Sequence, residues 1–154
     1  MSDASPQQLR LIALDVEDLG VLSANMQDAV VRVRDMVHLP TARRFALVAS
    51  RYDWVAAQQG RMERVRAGLH FERVLRVSHI GIDQSKPDEM LNLLSIVFEP
   101  TEMPAGFVQL IFSGGSAVRV DVECLEAQMR DMGPRWTTHL QPGHAMDDAP
   151  ADSE

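Results

Sequence analysis

The run from Phe107 to Met132 constrains the fold more than any other stretch of the chain. Phe-Val-Gln-Leu-Ile-Phe (107–112) and Ala-Val-Arg-Val-Asp-Val (117–122) are β-rich runs separated by Ser113-Gly114-Gly115-Ser116. Glycine enters left-handed backbone without a Cβ penalty, so a Gly-Gly pair between two such runs reads as a hairpin turn. Val118, Val120 and Val122 alternate with Arg119, Asp121 and Glu123, which gives the second strand one wet face. Leu125, Met129 and Met132 then recur at helical spacing, with Glu123, Glu126 and Arg130 on the other side. Gly133-Pro134 reads as a helix stop. The expectation is a hairpin that feeds a C-terminal helix.

The preceding chain follows the same logic. Leu9–Leu14 is a short apolar run that suits a buried or edge strand. Asp15 is a candidate N-cap, and Leu19, Leu22 and Met26 share one face of a helix over 16–28. Two runs with strand character, 30–38 and 43–51, sit close enough to form an antiparallel hairpin. Residues 56–68 read as a connection with one or two helical turns. Residues 69–82 read as one long strand bending near Ser78–Gly81, and 91–98 as a central strand. The strands follow one another with no long helix between most of them. That order predicts an α+β domain built on a mostly antiparallel sheet or partly closed β-barrel. It has about seven strands, one helix in the N-terminal half and one at the C-terminal end. Residues 1–8 are expected to form a disordered leader, 9–139 a single domain, and 140–154 an acidic flexible tail.

Charge is unevenly placed. The net charge is −7, but the first eight residues and the last fifteen hold five of the 22 acids. Between Arg43 and Arg76, eight arginines stand against three acids. The lone Cys124 excludes an internal disulfide, and no apolar run reaches the length of a membrane-spanning helix. The polar N-terminus lacks the apolar core of a signal peptide, so a cytoplasmic location is expected.

Each candidate for chemistry has a plainer explanation. His38, His70, His79, His139 and His144 show no metal-ligand spacing, and no cofactor motif is present. Cys124 is flanked by Glu123 and Glu126, which disfavour a thiolate, so it reads as structural. The Gly pair joins two strands and lacks a nearby lysine, which argues against a phosphate loop. Asp121 and Glu123 share an exposed face, where nothing would raise a carboxyl pKa toward that of a general acid.

Two groups stay open as binding sites. Arg51, Tyr52, Trp54 and Trp136 are of the types favoured as protein-interface anchors. Arg61, Arg64, Arg66, Arg73 and Arg76 form an arginine-rich segment that suits phosphate groups or nucleic acid.

Leu-Ile-Ala-Leu-Asp-x-Glu-Asp-Leu (11–19), Arg-Arg-Phe-Ala-Leu-Val (43–48), Phe-Glu-Arg-Val-Leu (71–75) and Asp-Val-Glu-Cys-Leu-Glu-Ala (121–127) together resemble a family of small bacterial proteins catalogued as a domain of unknown function. The resemblance spans about residues 9–140 and implies an independently folding bacterial cytoplasmic domain. It carries no activity, ligand or catalytic residue. The expected function is therefore a non-catalytic interaction module with a protein partner. Binding of a phosphorylated ligand or nucleic acid through the arginines ranks second, and a small enzyme third. Homodimerisation through the wet face of the last hairpin stays open.

Overall fold

The computed structural model describes residues 8–139, 141 and 142. The strands are β1 (Arg10–Ala13), β2 (Val30–Leu39), β3 (Arg44–Tyr52), β4 (Glu63–Phe71), β5 (Val74–Ile80), β6 (Met90–Pro100), β7 (Gly106–Phe112), β8 (Ala117–Val122) and β9 (Ala127–Thr137). Two helices interrupt them, α1 (Val16–Asn25) and the short α2 (Trp54–Gln58). All pairings are antiparallel, in the order β1-β9-β4-β3-β2-β6-β7-β8-β5. The sheet is not closed, because β1 and β5 remain its edges.

Local chemistry accounts for the first helix. The Asp15 carboxylate accepts a 2.8 Å bond from the Asp18 amide, and Glu17 and Asp18 lie in the first turn, where negative charge complements the helix dipole. Leu19, Leu22 and Met26 point into the core. The predicted hairpin between 107–112 and 117–122 is also present. Gly114 and Gly115 both have positive φ, 81° and 88°, in a single 3-10 turn.

Nine strands replace the expected seven for two reasons. First, 69–82 is not one strand: β4 begins earlier, at Glu63, and the chain turns at Glu72-Arg73 rather than near Ser78–Gly81. Second, the expected C-terminal helix is strand β9, and Gly133-Pro134 lies inside it instead of ending a helix. Ala127, Met129 and Asp131 face the core while Gln128, Arg130 and Met132 face outward, a period of two that overrides the helical spacing of Leu125, Met129 and Met132. The buried Asp131 interrupts the apolar pattern of the inner face, and its partner lies eighty positions away in sequence.

The sheet folds into two facing layers, β1-β9-β4-β3-β2 and β6-β7-β8-β5. They are joined in two ways. One is a short ladder between Val30–Arg32 and Met90–Asn92. The other is a bent ribbon. The pair β4–β9 in one layer continues as the pair β5–β8 in the other, across the corners 72–73 and 123–126. The Glu72 amide donates to the Glu126 carbonyl at 2.9 Å, and the Glu123 amide donates to the Arg73 carbonyl at 3.0 Å, so the ribbon stays bonded through the bend. The core between the layers includes Leu22, Val31, Leu69, Phe71, Leu93, Leu110, Phe112, Val120 and Met129. The expected leader and tail lie outside the described residues, apart from Gln8, Gln141 and Pro142.

Candidate functional site

Strand β3 places Phe45, Leu47, Ala49 and Arg51 on its core side, so Arg51 enters the protein at the end of an apolar row. It crosses β4 to reach Asp131 on β9. Nε and one terminal nitrogen donate to the two carboxylate oxygens at 2.8 and 2.9 Å. The same carboxylate accepts the Leu9 amide at 2.9 Å, and the Asp131 amide donates to the Leu9 carbonyl at 2.8 Å. Arg135 lies 3.6 Å from Asp131 and also bonds Asp53, with Glu63 at 3.4 Å. Arg61 completes the group, 3.5 Å from Glu63. Three arginines meet three carboxylates, so the charges balance.

Asp53 also caps α2, accepting the Ala56 amide at 2.9 Å. Burial alone would raise its pKa. The Ala56 amide and the Arg135 bond, with the charges of Arg51 and Arg135, outweigh that and hold the carboxyl below its usual value. A carboxylate kept ionised in this way has no proton to donate near neutral pH. At the other end of the same layer, burial would raise the Glu72 pKa as well. Bonds from Arg44 and His70 lower it further than burial raises it.

These neighbourhoods decide the predicted anchors. Arg51 and Tyr52 are 2% and 0% exposed, so neither side chain can meet a partner. Trp54 packs edge-on against Tyr52 at 4.7 Å and donates its ring N–H to the Gln27 carbonyl at 3.1 Å. Among the described residues the buried Tyr52 hydroxyl has no hydrogen-bond partner. Of the four anchors, Trp136 alone is exposed. It lies on the outer face of β9, opposite Arg64 on β4.

The arginine-rich segment does not form one patch. Arg64 stacks over the Tyr52 ring at 5.8 Å and donates to the Ser50 carbonyl. Arg61 is committed to Glu63. Arg73 lies in the corner and Arg76 beyond it, beside Glu126 and Asp121 at 3.5 and 3.6 Å. Arg66 remains on the outer face of β4 and has exposed company there that the sequence did not single out.

Ten of the fourteen arginines make ion pairs among the described residues, and Arg64 is held as above. The three left over, Arg10, Arg66 and Arg130, share one surface. Arg10 of β1 stands directly opposite Arg130 of β9, and Arg130 opposite Gly68 of β4, two residues from Arg66. Exposed Ile12, Met132 and Trp136 lie on the same face. Met132 extends over Gly68, where a Cβ would sit 3.0 Å from its sulfur. This face was hidden in the sequence because the stretch read as a helix stopping at Gly133-Pro134, which turns Arg130 and Met132 to different sides of a cylinder and leaves Trp136 beyond its end.

Among the described residues no group of three or more His, Cys, Asp or Glu could hold a metal ion, and no helix is long and apolar enough to cross a membrane. A shallow polar cavity of about 290 Å³ lies at the bend, lined by Ala42, Arg43, Glu72, Arg73 and Glu126, and its charged groups are already paired. Cys124 is partly exposed in the corner between β8 and β9.

No curated protein and no solved structure matches the chain. One protein-family profile does, over residues 9–144, and its description is "Protein of unknown function (DUF2948)". That span includes all nine strands, the Arg51–Asp131 pair and the outer face with Arg10, Arg66 and Arg130, and the chain belongs to this family.

Proposed function

We propose that the protein is a non-catalytic interaction module whose contact surface is the outer face of β1-β9-β4. The observation that carries this reading is the grouping of Arg10, Arg66 and Arg130 around Ile12, Met132 and Trp136. Two arginines directly opposite on paired strands repel each other, and fold stability gives no reason to keep them there. An acidic partner supplies that reason. Arg, Met and Trp are also enriched in the cores of protein interfaces. The chain's net charge of −7 and the small number of arginines without an ion pair among the described residues disfavour a polyanion such as nucleic acid, whose affinity grows with each phosphate neutralised. A protein surface bearing carboxylates beside apolar side chains fits better.

The test is site-specific photocrosslinking in the native cell, with a benzophenone residue at Met132 and, as control, at the exposed Ile80 of β5. A discrete product from Met132 that disappears in Arg66→Glu/Arg130→Glu supports the reading. Equal crosslinking from both positions, or indifference to the charge reversal, overturns it.

A further inference from the structure

The basic face runs to an open sheet edge. Among the described residues β1 pairs only with β9, and the bond from the Asp131 amide to the Leu9 carbonyl sets the alternation of its backbone groups. Residues 9, 11 and 13 turn their N–H and C=O toward β9, so Arg10 and Ile12 turn theirs away. Among the described residues no turn or loop backbone bond reaches them. The side chains of Arg10 and Ile12 meanwhile lie on the outer face, opposite Arg130 and Gln128. Polar backbone, a cation and a half-exposed apolar side chain thus alternate along one edge.

We infer that this edge takes an extended acidic segment of a partner protein as an additional strand. The inference rests on the interaction-module reading and adds the binding mode. Strand addition draws its affinity from main-chain bonds and its specificity from alternate side chains. The incoming residue beside Arg10 projects onto the outer face, within the field of Arg10 and Arg130, and a carboxylate there relieves their repulsion. Two residues along, the incoming side chain meets Ile12 and is apolar. Acidic and apolar residues alternating on one face of the segment follow from this. The opposite edge, β5, is less suited: the Val74 amide is taken by the Arg43 carbonyl and Arg76 is next to Asp121.

The experiment follows amide exchange by NMR in the intact protein, with a short synthetic peptide of alternating Glu and Val, and with a second peptide carrying Lys in place of Glu. The Glu peptide slows exchange at the Arg10 and Ile12 amides, and Arg10→Glu transfers the preference to the Lys peptide. Ile12→Pro removes an amide that faces solvent, a position where edge strands tolerate proline. It lowers affinity for the Glu peptide by about tenfold or more, whereas Ile12→Ala has a smaller effect. Should Ile12→Pro fail to fold, amide protection in the wild-type protein decides alone. Shifts at Arg66, Arg130 and Trp136 without protection at Arg10 and Ile12 overturn strand addition and leave the face reading standing. No binding of the Glu peptide also overturns strand addition, and the crosslinking experiment then judges the face separately.

Discussion

Arg51 and Asp131 form a two-pronged ion pair, at 2.8 and 2.9 Å, inside the protein and two strands apart. Asp131 also bonds Leu9, so the pair holds β1 to the sheet as well as neutralising two buried charges. Removing one partner strands the other without water. Asp131→Asn should cost about 3–5 kcal/mol, read as a lower urea midpoint with little change in slope. The double variant Arg51→Met/Asp131→Leu should recover most of that loss, because two apolar side chains leave no unpaired charge.

Asp53 links the same network to acid stability. Its folded-state pKa lies below the ordinary 3.8, so its contribution is present in full above that value. It is lost as pH falls through the lower folded-state value. Asp53→Asn should therefore flatten the acid limb of the stability curve below about pH 4. Chemical denaturation repeated across pH checks this, and an unchanged acid limb would count against the assignment.

At the surface, Arg10→Glu should raise stability while destroying binding. It converts a like-charged cross-strand pair with Arg130 into an opposite-charged one, worth about 0.2–1 kcal/mol. Thermal denaturation should show a small increase in midpoint, and the crosslink from Met132 should vanish. A loss of stability would show that the face is not electrostatically strained.

Gly106 begins β7 where the chain passes close to β6. A Cβ there would come within 2.6 Å of the Phe98 ring and would also meet the Glu99 carbonyl. Gly106→Ala should cost about 1–3 kcal/mol through overpacking, measured by denaturant unfolding. Gly20→Ala is the control, since nothing lies within 4 Å of a Cβ at that helical position. It should be stabilising by up to about 1 kcal/mol.

How legible the fold was depended on whether each signal was local. The cap at Asp15, the Gly114-Gly115 turn and the alternation of Val118, Val120 and Val122 act within a few residues, and each was readable. β9 was not, because Asp131 breaks its inner apolar row and its two-pronged partner Arg51, which makes that position tolerable, lies far off in sequence. The break at Glu72-Arg73 was missed because Arg73 adopts φ 60° without being glycine, so no turn residue marks it. Tyr52 and Arg51 looked like contact residues because their types favour interfaces, yet parity on β3 sends Arg51 inward. α2, Trp54 and Arg64 enclose Tyr52. The face with Arg10, Arg66 and Arg130 needs three strands from both ends and the middle of the chain, so it exists only after folding.

The bent ribbon of β4–β5 with β8–β9 leaves the two layers without a seam. Any force that peels them apart must break the corner bonds at Glu72 and Glu123 and the ladders on both sides together. The layers should therefore melt as one body. Probes placed in each, such as Trp54 in one and Phe107 beside Arg119 in the other, should report the same transition.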